Sequence, residues 1–148
     1  MKALKLMTKY LSVTVIFISC SGGIKKATEL TQSDLNYLEK IGLKNKDEKI
    51  ILFNSQQDNQ ISGNLITDKR LASYWIDIEK NISRINFAYY DEIDTLLMKD
   101  LTKSMTYASF IKVIKNDKSE FKVYVDDNEK NTNEFFKRAL TEWKRWKY

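Results

Sequence analysis

Histidine and proline are absent from this 148-residue chain, glycine occurs four times and cysteine once. Without histidine there is no imidazole metal site and no Ser–His–Asp triad. One cysteine cannot close a disulfide within the chain, nor can it form a Cys–His nucleophile with a residue that is missing. Four scattered glycines cannot build a Gly-rich phosphate loop. Carboxylate chemistry remains formally open, as in a glycosidase-like pair, but no paired Asp/Glu pattern stands out. The acidic groups Asp91, Glu92 and Asp94, and Asp126 with Asp127, lack the ligand ladder and turn glycine of a calcium loop. No cofactor and no metal is expected, and the balance favours a binding or structural module over an enzyme.

The single cysteine sits in an informative place. Lys2, Lys5 and Lys9 give a basic start, residues 10–18 form a short apolar run, and small Ser19 precedes Cys20. Such a run is too short to cross a bilayer core of about 30 Å and matches the apolar segment of a secretory leader. This pattern resembles a bacterial lipoprotein signal, with Phe17 where that pattern prefers Leu. The resemblance implies that residues 1–19 are removed and that Cys20 is acylated and held at the membrane. An ordinary signal peptide with a cysteine nearby is the alternative. Ser21, rather than an acid, follows the cysteine. In Gram-negative sorting this resembles outer-membrane routing, with the domain facing the periplasm.

Charge points the same way. Residues 1–19 carry three lysines and no acid, so the formal +5 of the whole chain falls to +2 without them. Nucleic acid usually demands a clustered basic face, and an exported address argues against it as well. The remaining length suits one domain of ordinary size.

Residues 20–30 read as a tether. Residues 31–46 read as an amphipathic helix with its connector: Ser33 as cap, Leu35, Leu38 and Ile41 at helical spacing, and Gly42 as the stop. From residue 47 the texture becomes that of strands. The stretches 49–55, 61–67, 70–77, 81–90, 105–115 and 119–126 read as strands, and 91–97 is ambiguous between strand and helical turn. Asn116 and Asp117 supply a hairpin turn. A last helix over 131–148 carries Phe136, Ala139, Leu140 and Trp143 on one face. Seven short antiparallel strands closed by a helix make a mainly β barrel or sandwich with α elements.

This order resembles the pleckstrin-homology-like superfold, in particular the small bacterial PH-like domains, over residues 47–148. The stretch Ser62–Tyr74 carries the likeness through Thr67, Arg70 and Tyr74. The step Ala88–Ile93 and the closing helix with Trp143 add to it. A lipocalin-like or other small β-barrel is the competing architecture. The resemblance implies a fold, not a function. Eukaryotic PH domains often hold phosphoinositides on a basic loop between their first strands, and the loop here, residues 55–60, contains no Lys or Arg.

Four surface features carry candidate contact residues. Lys69 and Arg70 could contact an anion or headgroup, or be a solvated turn residue and a carboxylate-paired arginine. Lys112, Lys115, Lys118 and Lys122 surround one hairpin tip and could touch anionic lipid or guard a strand edge. Tyr74, Trp75, Tyr89 and Tyr90 could line a groove, although adjacent strand residues face opposite ways. Trp143 reads as core, and Trp146 with Tyr148 as an edge cover or small patch. The expectation is a lipid-anchored, non-enzymatic module that binds another envelope protein through Lys69, Arg70, Tyr74 and Trp75. A carrier of a small apolar ligand or lipid is the alternative.

Overall fold

The computed structural model describes residues 23–104 and 107–147. Cys20 and the leader lie outside the described residues, as does Tyr148. The described chain runs β1 (Gly23–Lys26), α1 (Gln32–Lys40), β2 (Ile50–Ser55), β3 (Ser62–Thr67), β4 (Arg70–Asp77) and β5 (Ile82–Tyr89). It continues through β6 (Ile93–Lys99), β7 (Ser109–Lys115), β8 (Glu120–Val125) and α2 (Glu129–Lys147). Strands β1 to β5 form one antiparallel sheet in sequence order, and β6 to β8 form a second.

Four differences from the sequence expectations have physical causes. Part of the expected tether is strand β1, which pairs with β2 from Gly23 opposite Ser55 to Lys26 opposite Leu52. It needs only one apolar residue, Ile24, packed against the core, so no periodicity announces it. The ambiguous stretch divides into a 3₁₀ turn, Tyr90–Glu92, and β6. The cap of α1 is Thr31 rather than Ser33: its hydroxyl accepts from the Asp34 amide at 3.1 Å, and the Asp34 carboxylate accepts from the Thr31 amide at 2.9 Å. This reciprocal box satisfies two amides at once. The inward face of α2 is turned from the expected one. Thr132, Phe135, Phe136, Ala139 and Glu142 are buried, with Trp143 partly so, while Leu140 is only half-buried.

Gly42 does end α1, with φ of +77°. That conformation suits glycine and lets the Leu43 amide return to the Leu38 carbonyl at 2.9 Å.

Strands β2, β3 and the first half of β4 are buried on both faces, whereas β5 is largely exposed. Along β4, Leu71 joins the inner core with the second sheet and α2. Ala72 and Tyr74, on the opposite face, join Leu38, Leu43, Phe53 and Leu65. Helix α1 and its connector therefore cover the outer face of β2, β3 and the first half of β4. Leu38 and Leu43 are essentially fully buried there, each contributing about 1.5–3 kcal/mol by leaving water.

The two sheets do not close into a barrel. Where a closed barrel would continue its backbone ladder, β8 is tied to the first sheet by side chains. The Tyr124 amide donates to Asn64 Oδ1 at 2.7 Å and the Asp126 amide to Asn54 Oδ1 at 3.2 Å. The Ile24 amide donates to Asp127 Oδ2 at 3.0 Å. The architecture is an open sandwich with a C-terminal helix.

Candidate functional site

The residues singled out in the sequence separate sharply. Arg70 begins β4 with only 1% of its surface exposed. Its Nε and Nη2 donate to the two oxygens of Glu48 at 2.9 and 2.6 Å, and Nη1 donates to the Gly42 carbonyl at 3.2 Å. Its guanidinium also lies 4.9 and 4.8 Å from the ring centres of Phe87 and Tyr89. Every polar edge of the group is engaged, so Arg70 ties the α1 connector to β4 and is closed to solvent. Lys69, beside it in the turn, is half-buried and pairs with Asp47 at 2.5 Å. Hydrogen bonding from Lys69 holds the Asp47 carboxyl below its ordinary value.

Tyr74 is buried beneath α1, with its hydroxyl donating to the Asn59 carbonyl. Burial pushes that hydroxyl far above the ordinary tyrosine range. Trp75, its neighbour, points the other way into a cleft of about 470 Å³. The cleft floor is the inner face of β4 and β5, with Ser73, Trp75, Arg84 and Asn86, and one wall is β8 from Glu120 to Tyr124. The Arg84 guanidinium sits 5.6 Å from the Trp75 ring centre. A cation over an indole face is attractive and holds the ring at the floor.

The β8 wall has a feature that no residue pattern displays. The Lys115 amide donates to the Ser119 carbonyl at 2.9 Å, which sets the phase of the β7–β8 ladder. In that phase Lys112 faces Lys122, and Ile114 faces Glu120, as non-hydrogen-bonded pairs. The amides of Lys122 and Glu120 consequently point out of the sheet, toward the cleft. Asn64 takes the next such amide, Tyr124, and Asn54 the one after. Among the described residues, the amides of Lys122 and Glu120 have no partner.

No family model matches the chain, and no curated protein matches it. Among solved structures it is similar to a DUF1696 family protein with a pleckstrin-homology domain from Shewanella loihica. The likeness has a TM-score of 0.54 at 10% identity and covers 83% of this chain and 98% of that one. The fold is pleckstrin-homology-like.

In this PH-like frame the remaining expectations find their places. The lysines around the β7–β8 turn are dispersed onto separate partners. Lys112 pairs with Glu120 at 2.8 Å, Lys115 with Glu92 at 3.8 Å and Lys118 with Asp94 at 3.1 Å. Lys122 lies 4.3 Å from the Phe110 ring centre. Tyr90 is fully buried and donates to the Thr67 carbonyl at 2.7 Å. Trp143 donates from Nε1 to the Ile93 carbonyl at 3.2 Å, and half-exposed Trp146 to the Asp68 carbonyl at 3.1 Å. A second open groove, about 540 Å³, runs between β2 and α2 and is lined by Ile50, Leu52, Lys137 and Arg138. Of the four sequence-nominated binding residues, Tyr74 and Trp75 border the cleft, and only the Trp75 side chain is on its inner face, since Tyr74 packs under α1. Arg84 and the β8 amides were missed, and the ladder phase that exposes those amides appears only once the strands are paired.

Proposed function

We propose that this chain is a lipid-anchored, non-enzymatic envelope protein whose PH-like domain binds another envelope protein. Acylated Cys20 would be followed by only residues 21 and 22 before β1 begins. Three steps of extended chain reach about 10 Å, so the Gly23 corner of the domain would ride close to the bilayer rather than on a long leash. Anchoring both molecules at one surface raises their effective concentration, and a modest contact then suffices.

The observation that carries the reading is the pair of unpartnered β8 amides beside Trp75. An extended segment laid in the cleft would add a strand to β8, receiving the Lys122 and Glu120 amides while its side chains meet Trp75 and Arg84. Main-chain bonds would supply affinity and the floor would supply selectivity. The test is crosslinking of the full-length protein in its native membranes, with Cys20→Ala as the unanchored control. One specific protein should be recovered with the anchored form, and its yield should fall about tenfold with Trp75→Ala and with Lys122→Pro. Proline removes the amide where an edge strand tolerates it. Recovery of stoichiometric lipid with no protein would sink this reading in favour of a lipid carrier.

A further inference from the structure

We propose that two copies of this chain pair through strand β5, joining their five-stranded sheets edge to edge about a two-fold axis at Ile85. The argument begins with how each free edge is protected. Strand β1 is four residues long and carries Lys25 and Lys26. The β6 edge meets α2 at its start, where Trp143 donates to the Ile93 carbonyl and Lys147 to the Asp94 carbonyl, and it ends in Lys99. The β8 edge is partly tied by Asn54 and Asn64 and carries Lys122 and Glu120. Short length, lysine, covering elements and inward polar side chains are the usual protections of a sheet edge.

Strand β5 lacks the short length, the lysine and the covering element; its inward polar side chains are only Arg84 and Asn86, at the cleft floor. It is eight residues long, Ile-Ser-Arg-Ile-Asn-Phe-Ala-Tyr, with Arg84 as its only charge. The Tyr90 amide donates to the Lys69 carbonyl at 3.1 Å, and the same phase turns the amides of Ser83, Ile85 and Phe87 outward. Those three have no partner among the described residues, whereas the next outward amide, Tyr89, is taken by Glu92 at 3.0 Å. Ile85 and Phe87 are each 37% exposed on the outer face.

The edge fits itself in one register. With the axis at Ile85, Ser83 stands opposite Phe87 of the partner subunit, and all three outward amides of both copies find carbonyls. Arg84 then faces Asn86 of the partner subunit. Shifting the axis to residue 84 sets two arginines against each other, which is destabilising. Shifting it to residue 86 asks for the Tyr89 amide, which Glu92 already holds. A two-fold axis normal to the bilayer also puts both Gly23 corners at equal height. Two anchored copies can therefore pair without lifting either one from the surface.

The experiment is sedimentation velocity of the full-length chain in detergent micelles from about 1 to 100 μM. Wild type should pass from monomer to dimer across this range. Ile85→Lys and Ile85→Glu, each placing like charges across the axis, should weaken the dimer at least tenfold while keeping the wild-type circular dichroism. An equimolar mixture of the two variants should restore a dimer, because the introduced charges then oppose each other. A wild-type chain that stays monomeric throughout, or a mixture that fails to recover, would overturn the proposal. Trp75→Ala should leave this dimer intact, so failure of the cleft reading and failure of the dimer are separately visible.

Discussion

Arg70 and Glu48 form a two-pronged ion pair in the interior, joined at 2.9 and 2.6 Å, with exposures of 1% and 2%. Glu48 is further held by the Thr67 hydroxyl at 2.6 Å and accepts the Asn45 amide at 3.0 Å. The pair locks the connector after α1 against the β3–β4 turn. It therefore fixes the N-terminal helix to the PH-like body, although the two are separate elements in the chain.

Removing one partner should be far worse than removing both. Arg70→Ala strands a buried carboxylate, an effect of about 3–5 kcal/mol, which for a domain of this size lowers Tm by about 10–20 °C. Arg70→Lys should recover only part of this, because an ammonium cannot reproduce the planar fork. The double variant Glu48→Leu with Arg70→Met should be markedly more stable than Arg70→Ala. Thermal melts of the four proteins check the ordering, and a double variant no better than Arg70→Ala would refute the account.

The same pair sets an acid limit. Burial works to raise the Glu48 carboxyl, but hydrogen bonds from Arg70 and Thr67 overcome it and hold the group below its ordinary value. Its folded pKa is thus lower than its unfolded pKa, so its contribution is complete above the usual glutamate value near 4.3 and disappears as pH falls through the depressed one. Asp34 is lowered as well: burial raises it, but bonds from Thr31 outweigh this and add to the same limb. Urea melts between pH 7 and pH 2.5 should show stability falling below about pH 4. Glu48→Gln should lower the plateau and flatten the fall.

What could be read from the sequence followed what side chains advertise. Strand β4 was legible to the residue because alternating, turn-bounded apolar residues mark it, and the final helix because its apolar face repeats at helical spacing. Strand β1 was not, since Gly-Ile-Lys-Lys makes its structure with backbone bonds. In the sequence Arg70 reads as either an anion contact or a carboxylate-paired arginine; its partner, Glu48, lies 22 positions earlier in the connector after α1 rather than on a neighbouring strand, and only the fold brings the two together. Glu142 was missed for a similar reason. It is buried on α2 yet flanked by Arg138 at 2.9 Å and Arg145 at 3.2 Å, and these satisfy it locally. Trp75 was singled out by its chemistry. Its cleft, and the amides beside it, arise from strand phase and from where the asparagine ties stop.

Those ties give a third prediction. Asn64 is buried and spends its Oδ1 on the Tyr124 amide. Asn64→Leu removes that acceptor and leaves the Tyr124 amide at the cleft without its protein partner, at a cost of about 0.5–1.5 kcal/mol. Hydrogen exchange should show the Tyr124 amide losing protection while core amides of β3 and β4 keep theirs relative to global stability. Asn64→Asp keeps an acceptor oxygen in place and should retain most of the protection. Unchanged exchange at Tyr124 in the leucine variant would mean that the sheets are held together by packing alone.

Gly63 supplies the last test, and it concerns how Tyr74 is seated. In β3, Gly63 lies opposite Tyr74 of β4, and the tyrosine ring crosses the space a side chain would fill. A β-carbon on Gly63 would stand 2.5 Å from Tyr74 Cε1 and 2.7 Å from Phe53 Cε2. Both rings are buried, Phe53 completely, so neither can swing away into solvent. Gly63→Ala should therefore destabilise by about 1–3 kcal/mol through overpacking, despite the better strand propensity of alanine over glycine. Tyr74→Phe should not rescue it, because the offending ring carbon remains. Tyr74→Leu in the Gly63→Ala background should recover part of the loss by vacating that space. If Gly63→Ala melts at the wild-type temperature, Tyr74 is not held against β3 as the packing requires, and the hydroxyl bond from Tyr74 to the Asn59 carbonyl must be re-examined by hydrogen exchange in the β2–β3 loop.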